Sequence, residues 1–244
     1  MLAFLSADEK NRATMFRSHR ARSTFQIARA TLRLHLARYT GASPHELHIA
    51  VSRQGKPFLA GQAGRAPLRF NVSHSHGYAL MCFSRSHEVG IDIEKIRLLP
   101  DARLVAEQHF APAELKSVFA REDEGSSMRF LACWTRKEAL VKGLGQGLHM
   151  PLHIFDVTPE RSASAVAWRC SAPTLTRWFT AQLTLPVERH CGAVALSAIQ
   201  GLHAHQPLCA TTAEWDPFLA HCDLQHHSWM SVFGSESEEL FSSR

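Results

Sequence analysis

Residues 90–94, Gly-Ile-Asp-Ile-Glu, combine residue types and spacing that could perform chemistry. Successive side chains of a β-strand point to opposite faces, so Asp92 and Glu94 would share one face while Ile91 and Ile93 point into the core. Two carboxylates without a neighbouring Cys or His suit a hard cation such as Mg²⁺. The alternative is a pair of solvent-facing acids on an amphipathic strand.

A second candidate stretch covers residues 134–143, Trp-Thr-Arg-Lys-Glu-Ala-Leu-Val-Lys-Gly. On a helix, Trp134, Glu138 and Lys142 lie four residues apart along one side. Glu138 could add a third carboxylate to a cation site, and Lys142 could hold a phosphate. The alternative is a surface Glu138–Lys142 ion pair worth a few tenths of a kcal/mol.

The third stretch, residues 70–77, contains Ser73 beside His74. A nucleophile–base pair is disfavoured because adjacent residues of a strand point to opposite faces, and because the chain has no Gly-x-Ser-x-Gly turn. The hydroxyl and imidazole could instead hydrogen-bond phosphate oxygens, with a plain polar turn as the alternative. The glycines of 143–147 close a helix rather than open one, so they do not form a dinucleotide-binding loop.

Charge is distributed unevenly along the 244 residues, and this bounds the possible partners. Residues 10–87 hold thirteen Lys and Arg against one acid, Glu46, a local balance of +12 within a net charge of +5. Such a region favours an anionic partner, which could be nucleic acid, acidic lipid, a phosphorylated small molecule or an acidic protein.

Composition excludes other classes of protein. Hydrophobic residues make up 45% and charged residues 20% of the chain, which excludes a chain disordered throughout. No run of about 18 apolar residues occurs, so we expect no membrane-spanning helix. Asp8 and Glu9 come too early for a signal peptide. Six cysteines without a Cys-x-x-Cys pair indicate a reducing compartment, and we expect the cytoplasm.

The elements that must position these residues are predicted from periodicity and turn signals. Helices are expected over 23–39, 101–110, 112–120 and 127–142, with Gly41 ending the first and Gly143 the last. Strands are expected over 48–51, 68–72, 78–83, 89–93, 152–157, 163–170, 177–185 and 191–198. The two halves share this outline, and we expect the last ten or so residues to be mobile.

In their order and spacing, the three stretches resemble the 4′-phosphopantetheinyl transferase family. The resemblance is carried by Asn71-Val72-Ser73-His74-Ser75, by residues 90–94, and by Trp134-x-x-Lys137-Glu138-Ala139-x-x-Lys142 followed by Gly145-x-Gly147-Leu148. Gly55-Lys56-Pro57 and Phe110-Ala111-Pro112-Ala113-Glu114 stand where its long, pseudo-dimeric, surfactin-synthetase-activating class has matching elements. The resemblance covers roughly residues 5–200.

This resemblance implies an α+β fold with two similar halves in a pseudo-twofold arrangement. Each half would be a long helix packed on a small antiparallel sheet, with the active site in the cleft between the halves. We expect a basic, coenzyme A-binding half over residues 1–100 and a half with the metal-binding helix over 101–200. Residues 201–244 are expected to form a partly disordered C-terminal extension.

The implied reaction moves the 4′-phosphopantetheine group of coenzyme A to a serine of an apo acyl or peptidyl carrier protein and releases adenosine 3′,5′-bisphosphate. Mg²⁺ is the implied cofactor, and carriers of fatty-acid, polyketide or nonribosomal-peptide biosynthesis all qualify. We expect a monomer with neither a nucleic-acid nor a membrane partner. The alternatives are a non-catalytic module that binds anions or a carrier protein, and an Mg²⁺-dependent hydrolase of a nucleotide pyrophosphate.

The resemblance also assigns roles to individual residues. Asp92, Glu94 and Glu138 would bind the metal. Glu114 would help to deprotonate the carrier serine, directly or through water, and Glu138 and Lys142 would share in catalysis. Seven residues are expected to hold coenzyme A: Lys142, which also has the catalytic role, together with Lys56, Ser73, His74, Lys10, Arg12 and Arg22. Ser23 and Thr24 replace an arginine that related chains often carry, so the N-terminal phosphate contacts follow the pattern only loosely.

Overall fold

The computed structural model describes residues 2–61, 67–121, 123–147, 150–161, 163–169 and 176–197, and the backbone of 220–224 and 228–234. The helices of these residues are α1 (Ala7–Thr14), α2 (His19–Thr40), α3 (Ala102–His109), α4 (Pro112–Val118) and α5 (Ser126–Leu144). The strands are β1 (Ile49–Val51), β2 (Pro57–Leu59), β3 (Arg69–Ser75), β4 (Tyr78–Ser84), β5 (Val89–Lys95), β6 (Phe155–Asp156), β7 (Ala163–Ala165), β8 (Ala167–Trp168), β9 (Trp178–Leu183), β10 (His190–Ser197), β11 (Ala220–Leu224) and β12 (Ser228–Gly234).

Two four-stranded antiparallel sheets form the framework. The first sheet has the order β11–β12–β4–β3, and the second has the order β5–β10–β9–β7. Strand β5 pairs with β10, from Val89 opposite Leu196 to Lys95 opposite His190. The chain therefore passes from the first sheet to the second between β4 and β5. The expected division near residue 100 stays a prediction.

Three apolar clusters hold these elements together. Leu36 of α2 packs with Met81 of β4 on one face of the first sheet. Leu80, on the other face of β4, packs with Ile91 of β5 in a cluster between the two sheets. Leu140 of α5 lies in the third cluster, between that helix and the second sheet. A long helix thus covers each sheet, and Ile91 points into the core as the alternating pattern predicts.

Helix α1 was missed by the apolar periodicity, although its start carries a recognisable signal. Ser6 Oγ accepts from the Glu9 amide at 3.3 Å, and Glu9 Oε2 accepts from the Ser6 amide at 3.1 Å, a reciprocal capping box. Glu9 then pairs with Arg29 and Arg33 of α2, each at 2.5 Å. These ion pairs help to fix α1 to the long helix.

The prediction that Gly143 ends α5 is wrong. The helix continues through Leu144, and Gly145, with φ of 68°, is its C-cap. Gly143 is buried where α5 crosses β5. A Cβ added to Gly90 would lie 1.9 Å from the Ala139 carbonyl oxygen and 2.3 Å from the Gly143 nitrogen. The missing side chain at residue 90 lets the helix backbone touch the strand, which brings the polar side of α5 to β5.

Several strands also differ from their predicted extents. The segment expected as one strand over 152–157 begins with a 3₁₀ turn, Leu152–Ile154, before β6, and the segment over 163–170 contains both β7 and β8. The pattern missed β2 and the pair β11–β12, which places part of the C-terminal extension beside β4. The last ten residues, expected to be mobile, lie outside the described residues.

The α+β class with antiparallel sheets is confirmed, and the pseudo-twofold relation of the halves stays a prediction. Among the described residues, no helix is both long enough and apolar enough to cross a membrane.

Candidate active site

Side chains from β3, β5 and α5 meet in one hydrogen-bonded group. Lys142 Nζ lies 2.5 Å from Asp92 Oδ1 and 2.9 Å from Ser73 Oγ. Ser73 Oγ donates to Asp92 Oδ1 at 2.8 Å. Asp92 and Ser73 are buried, while the Lys142 side chain is 30% exposed. The structure thus brings together one residue from each of the three sequence stretches.

Two further carboxylates surround Asp92, and we call Asp92, Glu94 and Glu138 the acidic group. Burial raises the pKa of Glu138, and the charges of Asp92 and Glu94 raise it further against the opposing effect of Lys142. Burial likewise raises the pKa of Asp92, opposed chiefly by Lys142. Three carboxylates therefore share the positive charge of one lysine, and a cation would relieve their repulsion.

The donor atoms of the acidic group fit a hard cation. Asp92 Oδ2 is buried and has no hydrogen-bond partner among the described residues, while Oδ1 is held by Ser73 and Lys142. Carboxylate oxygens are the ligands that Mg²⁺ prefers. Within the described part of the chain, no three His, Cys, Asp or Glu side chains are close enough together to hold a metal ion as they stand. The chemistry and burial fit, and the ligand assignment stays a prediction.

A cleft of about 260 Å³ opens beside the acidic group. Its walls come from the turn before β2, from β3 and from the end of α5, and are lined by Gln54, Gly55, Lys56, Pro57, Asn71, Val72, Glu138, Val141, Lys142, Gly145 and Gly147. The ammonium groups of Lys56 and Lys142 beside apolar side chains such as Val141 suit a phosphorylated organic molecule. The cleft therefore joins the second and third stretches to Lys56.

Lys56 lines the cleft, and its ammonium group is held by contacts within the protein. Its Nζ donates to the Gly143 carbonyl at 2.6 Å and lies 3.4 Å from Glu88 Oε2. Burial lowers the pKa of Lys56, and Glu88 opposes that shift. Lys56 thus ties the end of α5 to the start of β5. Its expected contact with coenzyme A stays a prediction.

Glu114 lies in a buried ion pair. Its Oε2 is 2.7 Å from Lys137 Nζ and accepts from the Ala111 amide at 2.8 Å, and its Oε1 accepts from the Val157 amide at 2.9 Å. Both side chains are at most 1% exposed. Burial raises the pKa of Glu114, opposed by Lys137. None of its described contacts reaches the acidic group, so a proton-accepting role requires this pair to open and stays a prediction.

The remaining residues expected to hold coenzyme A lie on α1, α2 and β3. Lys10 is exposed, Arg12 stacks 5.5 Å from the ring of Phe25, and Arg22 donates to a backbone carbonyl in the α1–α2 turn at 3.1 Å. His74 is exposed, whereas its neighbour Ser73 is buried. None of these four basic residues is among the described residues that line the cleft, and their ligand contacts stay predictions.

Comparison with known proteins gives a consistent result. A family model described as "4′-phosphopantetheinyl transferase, N-terminal" matches residues 1–86, and one described as "4′-phosphopantetheinyl transferase superfamily" matches residues 88–195. The two matched segments meet between β4 and β5, where the chain passes from one sheet to the other.

Individual relatives agree with the family models. The chain is 31% identical over 172 residues to the 4′-phosphopantetheinyl transferase HetI of Nostoc sp., covering 69% of this chain and 73% of the relative. It is 25% identical over 156 residues to the 4′-phosphopantetheinyl transferase Sfp of Bacillus subtilis, covering 64% and 67%. It is 36% identical over 129 residues to the 4′-phosphopantetheinyl transferase AcpT of Salmonella typhimurium, covering 52% and 64%.

Proposed function

The chain belongs to the 4′-phosphopantetheinyl transferase superfamily and is an enzyme of that type. From this premise we propose that it transfers 4′-phosphopantetheine from coenzyme A to a carrier-protein serine, with Mg²⁺ as cofactor. The observation that carries the proposal is the acidic group beside the cleft, with its buried and unpartnered Asp92 oxygen. The serine oxygen forms a bond to the β-phosphorus, the pyrophosphate P–O bond breaks, and adenosine 3′,5′-bisphosphate leaves.

We propose that Asp92, Glu94 and Glu138 hold the Mg²⁺. When bound, the cation supplies charge neutralisation for the coenzyme pyrophosphate. The support is the crowding of three carboxylates around one lysine: burial and then the charges of Asp92 and Glu94 raise the pKa of Glu138, and burial raises the pKa of Asp92 against the opposing effect of Lys142.

Lys142 is proposed to bind the phosphates at the reacting centre. It lines the cleft and keeps about a third of its side chain exposed, so its ammonium can reach a ligand. Its bond to Asp92 Oδ1 fixes it at the boundary between the acidic group and the cleft. An ammonium in this place attracts the coenzyme pyrophosphate and orients it towards the attacking serine.

Two carboxylates could accept the proton of that serine. Glu138 lines the cleft, so one of its carboxylate oxygens could accept the proton while the other holds the metal. Glu114 could accept the proton only after release from Lys137. The geometry favours Glu138 as the acceptor, while Glu114 fixes α5 through Lys137.

The basic region over residues 10–87 is proposed to serve both anionic substrates. The 3′-phosphate and pyrophosphate of coenzyme A are compact anions, and Lys10, Arg12, Arg22, Lys56 and His74 are the proposed contacts. Remaining positive charge in this region would attract an acidic carrier protein and raise its rate of encounter.

The test is to incubate the protein with coenzyme A, Mg²⁺ and apo carriers from fatty-acid, polyketide and nonribosomal-peptide systems, and to record intact masses. We expect a phosphopantetheine mass gain on at least one carrier, abolished by EDTA and restored by Mg²⁺. Asp92→Asn should remove the gain, whereas Asp123→Asn, at an exposed aspartate before α5, should not. Full modification by folded Asp92→Asn would refute the metal assignment.

The same experiment separates the alternatives. A non-catalytic module would bind a carrier or coenzyme A in EDTA and leave every carrier mass unchanged. A nucleotide pyrophosphate hydrolase would release free 4′-phosphopantetheine and adenosine 3′,5′-bisphosphate in the absence of any carrier, which chromatography detects.

A further inference from the structure

Alternate side chains of β3, from Asn71 to Ser75, bond to the edge of β5. Asn71, Ser73 and Ser75 accept from the backbone amides of residues 91, 93 and 95 at 2.9, 3.4 and 3.1 Å. Strand β3 pairs with β4, and β5 pairs with β10, so in the described part of the chain no backbone ladder joins β3 to β5. Side chains of β3 therefore join the two sheets along this seam.

Ser73 also bonds to Asp92, and its own bonds fix the direction of its proton. A hydroxyl has one proton and two lone pairs. Ser73 Oγ accepts from the Ile93 amide and from Lys142 Nζ, which can only donate. With both lone pairs occupied, its proton is directed to Asp92 Oδ1 at 2.8 Å. Ser73 thus holds one oxygen of Asp92 and leaves the buried Oδ2 for another ligand.

Ser75 repeats this arrangement two residues further along. Its Oγ accepts from the Lys95 amide, donates to Glu94 Oε2 at 3.1 Å, and also lies 3.2 Å from His76 Nδ1. At Asn71 the arrangement stops, because the β5 residue in the corresponding place is Gly90, which has no carboxylate. Of these three β3 residues, the two serines therefore combine a bond to the β5 backbone with a bond to a carboxylate of the acidic group.

We propose that Ser73 and Ser75 are positioning residues, which orient the carboxylates of Asp92 and Glu94 so that each presents one oxygen to the metal. The inference rests on the proposed function, since it takes these carboxylates as Mg²⁺ ligands. It adds a role to the expected contact of Ser73 with coenzyme A, because here the protein itself engages the proton and both lone pairs of the hydroxyl.

The test measures metal binding directly with Mn²⁺, whose free concentration is read by electron paramagnetic resonance, on the full-length protein with coenzyme A present. Removing a group that orients a metal ligand typically costs about 10–100-fold in metal affinity. We expect Ser73→Ala to raise the Kd for Mn²⁺ about tenfold or more. The Mg²⁺ concentration for half-maximal carrier modification should rise by the same factor, while the KM for coenzyme A changes less than about twofold.

Two other serines serve as comparisons. Ser75→Ala should raise the Kd for Mn²⁺ less than Ser73→Ala, because its bond to the carboxylate is longer and Glu94 is only half-buried. Ser84→Ala is the matched control, since Ser84 is a buried serine of β4 whose Oγ accepts from the amides of Ser86 and His87. It should lower the melting temperature without changing the Kd for Mn²⁺.

The outcomes distinguish this inference from the proposed function. The positioning role is overturned, and the proposed function is not, if the wild type binds Mn²⁺ and Ser73→Ala binds it equally well. The same holds if Ser73→Ala raises only the KM for coenzyme A. A wild type that binds no Mn²⁺ overturns the metal assignment and the positioning role together. If Ser73→Ala does not fold, Ser73→Cys keeps the shape of the side chain with a weaker donor and should still raise the Kd.

Discussion

The ion pair between Glu114 and Lys137 allows a double-mutant test of whether Glu114 is a proton acceptor or a structural carboxylate. At 2.7 Å, their gross attraction is roughly 6 kcal/mol for an effective dielectric constant of about 20. The loss of hydration by two fully buried charges offsets much of that attraction. Removing only one partner leaves a buried charge uncompensated, so Glu114→Gln and Lys137→Met should each lower the free energy of unfolding by about 3–5 kcal/mol.

The double variant separates the two roles. Because Glu114→Gln with Lys137→Met leaves no unpaired charge, the double variant should be about 2–3 kcal/mol more stable than either single variant, whereas additive effects would make it less stable than both. Urea unfolding of the four proteins measures this coupling. If Glu114 only fixes α5, the double variant should recover carrier modification along with stability. If the free energy of unfolding recovers while kcat stays near background, Glu114 is instead supported as the proton acceptor. If the two single effects on the free energy of unfolding simply add in the double variant, the coupling is refuted.

Three further predictions concern other parts of the structure. Gly90→Ala would push a methyl group against the Ala139 carbonyl, so it should lower the free energy of unfolding by about 3 kcal/mol or more; an unchanged urea midpoint would contradict the close crossing of α5 and β5. Burial raises the pKa of Glu9, but Arg33 and Arg29 outweigh burial, so the pKa of Glu9 is lower in the folded protein than in the unfolded chain. The stabilisation by Glu9 is therefore present above its unfolded-state pKa and is lost as the pH falls through its folded-state pKa. Glu9→Gln should therefore cost about 2 kcal/mol at neutral pH and almost nothing in acid, and a pH-independent cost would argue against the ion pairs. Burial and two neighbouring carboxylates raise the pKa of Glu138, so protons should compete with the metal there and kcat/KM at limiting Mg²⁺ should fall as the pH falls through a value above the usual glutamate range. A kcat/KM that does not change across that range would contradict Glu138 as a metal ligand.

Local patterns in the sequence were sufficient to predict the face on which the site residues lie. Alternation along residues 90–94 separated Asp92 and Glu94 from Ile91, which lies in the cluster between the sheets. Helical spacing placed Glu138 and Lys142 on one side of α5, and both line the cleft. These predictions depend only on neighbours within one element, where side-chain direction follows from backbone geometry.

Relations between distant elements could not be predicted in the same way. Nothing in residues 70–77 indicates that Ser73 faces a carboxylate of β5, since strand adjacency depends on packing of the whole chain. The direction of the Lys137 side chain was easier to predict from the sequence. Neighbouring helix residues point about 100° apart, so Lys137 and Glu138 could not both face the cleft. Its partner Glu114, by contrast, is identified only by the folded structure.

The crossing of α5 and β5 has a consequence for the evolution of this enzyme. A Cβ on Gly90 would meet the backbone of α5, and a Cβ on Gly143 would lie 2.7 Å from the Trp178 ring. Because one of these obstacles is main chain, no change of a neighbouring side chain can compensate for a substitution at residue 90. Relatives that diverge from this chain are therefore expected to keep glycine at residue 90, and a mutant library built on it should leave this crossing unchanged.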